Sequence, residues 1–169
     1  VLVFENADVS VSVESGAEPW VAMFNVPAWV KGTASSDCTT KDVPIDNDYY
    51  TCTVTGSGFS GFTRVVKQGE GTLVLPDVEM THSGNTDVWN GTLVFNGTMK
   101  QSSLWLNRHT SLRSSGTFRS IKADYNATVF PGDDGQVGTL TSDSVTLGFG
   151  SRMVFDLKND FTSDRLDTK

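Results

Sequence analysis

The sequence predicts an all-β fold, a parallel β-solenoid. The first observation is a Gly-Thr pair followed by an apolar residue, which recurs along the chain and includes four starts spaced 20, 25 and 22 residues apart. A repeat of just over twenty residues suits one coil of a solenoid. The second observation is that short alternating runs are common, whereas no stretch with helical period exceeds two turns. Asn, Gly, Ser and Asp lie between these runs, as expected for corners.

The Gly-Thr pairs predict where the coils turn. Glycine adopts turn conformations that side chains forbid, and threonine favours the pleated strand that follows. We therefore expect the four glycines to lie at equivalent corners of coils about 4.8 Å apart. They are Gly71, Gly91, Gly116 and Gly138.

The repeats are clearest from residue 69 onward, and the first part of the chain is less regular. We predict one continuous domain, with an irregular β cap or first coils and a Cys-flanked loop in residues 1–68 and β-helix repeats in residues 69–169. In the first part, Phe4–Val13 alternates as a strand, and Glu18–Val30 is predicted as strands rather than a short helical cap. An apolar start and an uncapped end predict a piece of a longer protein with flanking domains.

The strands predicted beyond residue 68 are short. Stacking each coil on the next removes the unpaired strand edges that such strands would otherwise expose. The predicted strands are Thr72–Leu75, Val88, Thr92–Phe95, Ser103–Leu106, Phe118–Lys122, Thr128–Phe130, Val145–Leu147 and Arg152–Leu157.

Composition and charge narrow the function classes. The chain has 169 residues, enough for one domain with a sizeable core, and its apolar residues form only short runs. We expect no membrane insertion by this segment. The 13 basic and 20 acidic residues give a net charge of -7, which repels phosphate backbones, so nucleic acid is not an expected partner. No cofactor is expected.

The two cysteines flank a polar excursion. Cys38 and Cys52 form no CxxC pair, and the chain has only two histidines, so zinc binding is not expected. A disulfide that closes the excursion is the preferred interpretation, and two free thiols are the alternative. Such a bond would stabilise the fold by about 3 kcal/mol in the chain-entropy model.

Two segments of the chain resemble a known repeat. The first runs from Gly69 to Leu75 (GEGTLVL), continues with SGNT at residues 83–86 and returns with WNGTL at residues 89–93. The second is ATVFPG at residues 127–132, followed by GTLT at residues 138–141. With the strands expected after them, MVFDL at residues 153–157 and SDRL at residues 163–166, they cover about residues 69–166 and resemble the strand repeat associated with passenger regions of bacterial autotransporters. The resemblance implies a right-handed β-helix that a bacterium secretes or displays on its surface.

Two acidic turns carry oxygens of the kind that Ca²⁺ binds. The first turn contains Asp46 and Asp48, and the second contains Asp133 and Asp134. Neither has the spaced ligands and closing Glu of an EF-hand. A solvated turn is therefore preferred at both places, with a weak calcium site as the alternative.

The nearest candidate for a catalytic cluster is Arg108 and His109 with Asp124 and Asp87. Successive coils can stack such residues, and a histidine can titrate near neutral pH. However, a single histidine at a polar strand end is ordinary, and no His-Asp-Ser spacing occurs. We therefore expect that the chain is not an enzyme.

Aromatic residues could instead form a platform for sugar rings. Packing in the core is favoured for these side chains as a group, and Trp105 most of all. Tyr49 and Tyr50 are the better exposed candidates for carbohydrate binding, and Trp89 is a third. The group contains Trp20, Trp29, Trp89, Trp105, Tyr49, Tyr50 and Tyr125.

These observations lead to three function hypotheses. The first is a non-catalytic β-helix segment for structural display or adhesion, extracellular or on a bacterial cell surface. The second is a carbohydrate-binding module attached to a glycan-processing protein, and the third is a β-helix polysaccharide lyase. The expected partners are glycans or host surface components. An exposed aromatic row favours the second hypothesis, and a cleft that gathers Asp, Arg and His favours the third.

The disulfide makes the first testable prediction. If Cys38 and Cys52 are bonded, the intact mass of the native protein should rise by about two hydrogens on reduction. Two thiols that alkylate freely in the native, air-purified protein would contradict the bond, and with it the support that a disulfide gives to an oxidising, extracellular compartment.

Overall fold

The computed structural model describes residues 2–5, 11–13, 17–26, 51–133 and 135–168. Within these residues the chain forms fifteen strands and no helix. No helix there is long and apolar enough to cross a membrane. The strands belong to two sheets, and the chain passes from one sheet to the other at every step.

Odd-numbered strands form an eight-stranded sheet and even-numbered strands a seven-stranded sheet. The eight-stranded sheet contains β1 (Leu2–Glu5), β3 (Val21–Asn25), β5 (Arg64–Gln68), β7 (Thr86–Val88), β9 (Thr98–Leu106), β11 (Thr117–Ala123), β13 (Thr139–Leu147) and β15 (Arg165–Thr168). The seven-stranded sheet contains β2 (Val11–Val13), β4 (Thr51–Gly56), β6 (Thr72–Leu75), β8 (Thr92–Phe95), β10 (Ser111–Ser114), β12 (Thr128–Pro131) and β14 (Arg152–Met153).

Each strand pairs in parallel with the strand two places along the chain, one coil away. In the eight-stranded sheet, for example, Leu104 of β9 is the partner of Thr86 on one side and of Ile121 on the other. An alternation of this kind, repeated along the chain, is a β-solenoid. The predicted all-β fold, a right-handed parallel β-helix, is therefore confirmed.

The core lies between the two sheets and is built from alternate residues of each strand. In β9, Leu104 and Leu106 point inward and are almost fully buried, whereas Trp105 between them is exposed. The sheets meet across the core, where the rings of Phe95 and Phe118 lie 5.1 Å apart between centroids. Burying one such large apolar side chain contributes about 1.5–3 kcal/mol, so the repeated inward ladder is the main source of stability.

A short polar network interrupts this core. His82 is fully buried, and its Nε2 lies 2.9 Å from the hydroxyl of Thr86. That hydroxyl lies 3.3 Å from the hydroxyl of Ser102, which donates a hydrogen bond to the carbonyl oxygen of Gly84. Within the described part of the chain, Nδ1 of His82 has no partner. Burial lowers the pKa of His82 to about 4, so the ring is neutral at neutral pH.

The four predicted corner glycines occupy two different kinds of corner. Gly71 and Gly91 precede β6 and β8 of the seven-stranded sheet and stack on each other, since Thr92 N donates to Gly71 O. Gly116 and Gly138 precede strands of the eight-stranded sheet. The expected equivalence of all four is therefore wrong, because a Gly-Thr pair marks the start of a strand in either sheet.

Several predicted strands differ from those observed. The single strand expected over Phe4–Val13 is wrong, because β1 and β2 belong to different sheets. In the segment Glu18–Val30, residues 21–25 form β3, and residues 27–30 lie outside the described part. The strand expected over Arg152–Leu157 is confined to its first two residues. Strands on both sides of residue 68 join the same two sheets.

Only one of the two cysteines is described. Cys52 on β4 is almost fully buried and belongs to the core. Cys38 lies outside the described residues, so the disulfide stays a prediction.

Coil stacking predicts that Gly91 cannot carry a side chain. Its φ is +71°, and an added Cβ would overlap Gly71 O and lie 2.6 Å from Glu70 O. Gly135 is a matched control, because its φ is +65° but an added Cβ meets nothing within 4 Å. Each alanine costs about 1–2 kcal/mol of backbone strain. We expect Gly91→Ala to lose roughly 2 kcal/mol more than Gly135→Ala in urea unfolding, because of the overlap. Equal losses would contradict this account of the corner.

Candidate corner groove

Three successive coils turn in the same way where they leave the eight-stranded sheet. The turns span residues 107–110, 124–127 and 148–151. Each is closed by a hydrogen bond from the backbone N–H of its fourth residue to the carbonyl oxygen of its first, with N–O distances of 3.3, 2.9 and 3.1 Å. Because the coils are in register, the turns form one continuous corner of the solenoid.

The third residue of each turn has a left-handed backbone. Its φ is 59° at His109, 56° at Asn126 and 71° at Gly150. Asn and Gly adopt this conformation more readily than most residues, and histidine is also enriched in it. This geometry closes the corner and projects the second residue of each turn outward.

The second residues of the turns form an exposed row, which we call the corner ladder: Arg108, Tyr125 and Phe149. The guanidinium carbon of Arg108 lies 5.6 Å from the centroid of the Tyr125 ring. Tyr125 and Phe149 stack with centroids 5.6 Å apart and an interplanar angle of 19°. His109 meets Tyr125 edge-on at 6.0 Å. The ladder is therefore an exposed stack of two aromatic rings with a cation at one end.

A groove of about 510 Å³ lies beside the Arg108 end of the ladder. Its volume is within the range of pockets that hold small ligands. Its lining combines two carboxylates, two amides, a guanidinium, an imidazole and one exposed indole. The lining residues are Glu70, Trp89, Asn90, Gly91, Asn107, Arg108, His109 and Asp124.

A buried lysine lies beneath this groove. Lys67 is 1 % exposed, and it occupies an inward position of β5 whose partners are Phe24 and Val88. Its Nζ donates hydrogen bonds to the carbonyl oxygens of Gln68 (3.0 Å), Gly69 and Asn90 (2.9 Å). The lysine thus joins two successive corners, one of which contributes Asn90 to the groove.

The pKa of Lys67 is lowered to about 7, chiefly because burial penalises the charged form. The charge of Glu70 at the groove acts in the opposite direction and raises it. The groove therefore has a titratable group just below its floor.

The structure brings together part of the candidate catalytic cluster. Arg108, His109 and Asp124 all line the groove. Asp87 does not, because its side chain is buried in an ion pair with Arg64, with a distance of 2.6 Å between Nε and Oδ2. Asp87 is therefore a structural partner of β5, and its inclusion in the cluster is wrong.

Of the three predicted carbohydrate-binding residues, Trp89 lies in the described part of the chain. Trp89 is 45 % exposed and lies in the groove. Tyr49 and Tyr50 lie outside the described residues. The preference for core packing is wrong for the described members of the aromatic group, since Trp20, Trp89, Trp105 and Tyr125 are all exposed.

The proposed calcium turns are also only partly described. Asp133 forms a turn in which its backbone N–H bonds to Gln136 O at 3.2 Å. Asp46, Asp48 and Asp134 lie outside the described residues. Among the residues that are described, no group of three or more His, Cys, Asp or Glu side chains is arranged to hold a metal ion.

Several groove features escaped sequence reasoning. Lys67 follows two valines, and strand alternation places it on the same face as Val65, which is the signal that the sequence offers. The stacking of Tyr125 on Phe149 could not be found without the register, because the two residues are far apart in the chain. Glu70 and Asn90 looked like ordinary corner residues.

No protein-family model, curated protein or solved structure matches this chain. The resemblance to the autotransporter repeat therefore stays an expectation drawn from the residues.

Titration of Lys67 predicts a pH-dependent stability. In the unfolded chain the pKa of this lysine is near 10.5, whereas in the folded protein it is about 7. At a pH between these two values the unfolded state therefore binds one proton more than the folded state. Stability should therefore rise with pH between these values, by at most about 1.4 kcal/mol per pH unit. Lys67→Met removes this contribution. Urea unfolding at pH 6 and pH 9 should therefore show that the free energy of unfolding of the variant, minus that of the wild type, is lower at pH 9 than at pH 6.

Lys100→Met is the control, because Lys100 is exposed on β9. Its difference from wild type should change little between the two pH values. A Lys67→Met difference that is equally independent of pH would mean that the three carbonyl oxygens keep the ammonium charged.

Proposed function

We propose that this chain is a non-catalytic β-helix segment for structural display or adhesion, and that it binds saccharide chains along the corner groove. The observation that carries the proposal is the exposed row formed by Arg108, Tyr125 and Phe149, with Trp89 in the adjoining groove. A row on successive coils can contact successive units of a linear polymer.

The chemistry of the lining supports a sugar ligand. Aromatic faces pack against the C–H groups of sugar rings, and the exposed indole of Trp89 in the groove provides such a face. The amides of Asn90 and Asn107 and the carboxylate of Asp124 are suited to hydrogen bonds with hydroxyl groups. Because the groove carries two carboxylates against one guanidinium, neutral or amino sugars fit it better than uronic acids.

The alternative is a β-helix polysaccharide lyase, and one observation favours it. Arg108, His109 and Asp124 are gathered in the same groove, which is a set of groups able to handle protons and negative charge. However, two of them also shape the corner. Asp124 Oδ1 accepts a hydrogen bond from Tyr125 N at 2.8 Å, and His109 holds the left-handed position of its turn. These structural roles make binding the preferred function.

The same proposal extends to location and partners. The chain would lie outside a bacterial cell, secreted or on the surface, where it would contact glycans or host surface components. The Gly-Thr repeats and the solenoid architecture support this, since both are features of the secreted repeats that the sequence resembles. A rigid solenoid also suits display, because its stacked coils present an extended face.

Alanine variants test the binding surface. We expect Trp89→Ala and Tyr125→Ala each to weaken binding to neutral or amino-sugar oligosaccharides about tenfold. The first removes the stacking face in the groove, and the second removes the ring that holds Arg108 beside it. Phe155→Ala is the control: Phe155 is 48 % exposed but lies outside the groove lining. Isothermal titration calorimetry against a panel of neutral, amino and uronic oligosaccharides measures the affinities of the three variants and of the wild type.

Two results would overturn the proposal. One is the absence of binding across the whole panel. The other is release of unsaturated products from a uronic polymer that stops on His109→Ala, which would establish the lyase instead.

A further inference from the structure

A second cleft lies at the opposite end of the strands of the eight-stranded sheet, where each strand begins. It has a volume of about 340 Å³, and we call it the entry cleft. The corner groove lies at the other end of these strands, which are three to nine residues long. Its lining residues are Glu18, Pro19, Trp20, Phe62 and Thr63.

Two aromatic side chains of the entry cleft are almost fully exposed. Trp20 is 87 % exposed and Phe62 is 91 % exposed. Trp20 directly precedes β3, and its carbonyl oxygen accepts a hydrogen bond from Arg64 N of the next coil at 3.0 Å. Stacking thus places an indole and a phenyl ring on adjacent coils at one small site. Large apolar side chains gathered at the surface in this way mark interaction sites.

The carboxylate of Glu18 is held in the same cleft. Its Oε1 accepts a hydrogen bond from the hydroxyl of Ser60 at 3.2 Å. It also packs on Gly61, where an added Cβ would lie 2.9 Å from Oε2. The missing side chain of Gly61 therefore makes room for the carboxylate, which carries the only charge among the described residues that line the cleft.

The remaining polar side chain of the cleft is already engaged. Thr63 is buried, and its hydroxyl donates to Ser60 O at 2.8 Å, which fixes the turn that carries Phe62. A sugar ring needs several hydrogen-bond partners, and this lining offers few. An organic cation needs aromatic faces and a nearby negative charge, which this lining provides. The net charge of -7 also attracts cations to the surface.

We propose that the entry cleft binds a quaternary ammonium group, with Trp20 and Phe62 facing its methyl groups and Glu18 balancing its charge. The cleft is smaller than the corner groove and has only Glu18 and Thr63 as polar side chains, which suits a single methylated head group better than a polymer. This site is independent of the saccharide groove, since the two share no lining residue.

Calorimetric titration with choline tests the proposal. We expect choline to bind, and its neutral isostere 3,3-dimethyl-1-butanol to bind at least about tenfold more weakly, because the isostere keeps the shape and loses the charge. Glu18→Gln should weaken choline binding about tenfold, and Trp20→Ala and Phe62→Ala should abolish it. The exposure of these two rings makes loss of folding unexpected, which circular dichroism checks.

Trp89→Ala and Phe161→Ala are the controls and should leave choline binding unchanged. Trp89 belongs to the saccharide groove, so this control separates the two sites. Phe161 is as exposed as the cleft aromatics but lies elsewhere. Equal affinity for choline and the isostere would overturn the proposal, as would absence of choline binding or unchanged affinity in Glu18→Gln.

Phosphatidylcholine vesicles distinguish the source of the head group. Vesicle binding that free choline competes away would assign a lipid, and choline binding without vesicle binding would assign a soluble ligand. Either result supports the shared chemistry, whereas vesicle binding that persists in Trp20→Ala would contradict it.

Discussion

Parallel stacking in register is the constraint on which the rest of this structure depends. Each strand hydrogen-bonds to its counterpart one coil away, so equivalent residues repeat at about 4.8 Å along the solenoid. A residue's neighbours are therefore set by coil register rather than by sequence distance. Inward positions become apolar ladders, and corner positions become rows of turns. One substitution at a corner consequently acts on the coils above and below it, as the contact between Gly91 and Gly71 illustrates.

The corner groove is a consequence of the same constraint. Three turns with equivalent hydrogen bonds place Arg108, Tyr125 and Phe149 in one row, although they lie about twenty residues apart in the chain. No single loop builds this surface. Lys67 adds a connection from inside, because its Nζ bonds to carbonyl oxygens of two successive corners. The groove therefore rests on a polar contact within an otherwise apolar ladder.

The repeat period and the alternation of short runs were sufficient to predict the solenoid. They were not sufficient to assign each repeat to a sheet, because each coil contains two strand starts, one in each sheet, and a Gly-Thr pair can occupy either. Gly116 was therefore grouped with Gly71 although it belongs to the other sheet. The core position expected for Trp105 is wrong for a related reason: alternation requires that it oppose Leu104 and Leu106, but only register shows which side is the core. Predicting the groove requires both the sheet to which each repeat belongs and the side of each strand that faces the core.

Lys67 shows how the site and the core constrain each other. A buried amine loses hydration, and this loss is large unless its hydrogen bonds are replaced. Three carbonyl oxygens replace them, and the lowered pKa of Lys67 reduces the cost further because the neutral form becomes accessible near neutral pH. An apolar residue at this position would leave the Asn90 carbonyl without that donor, beside the groove lined by Glu70 and Trp89. The charge of Glu70, which lines the groove, raises the pKa of Lys67 against the effect of burial, so the groove and the buried amine interact electrostatically.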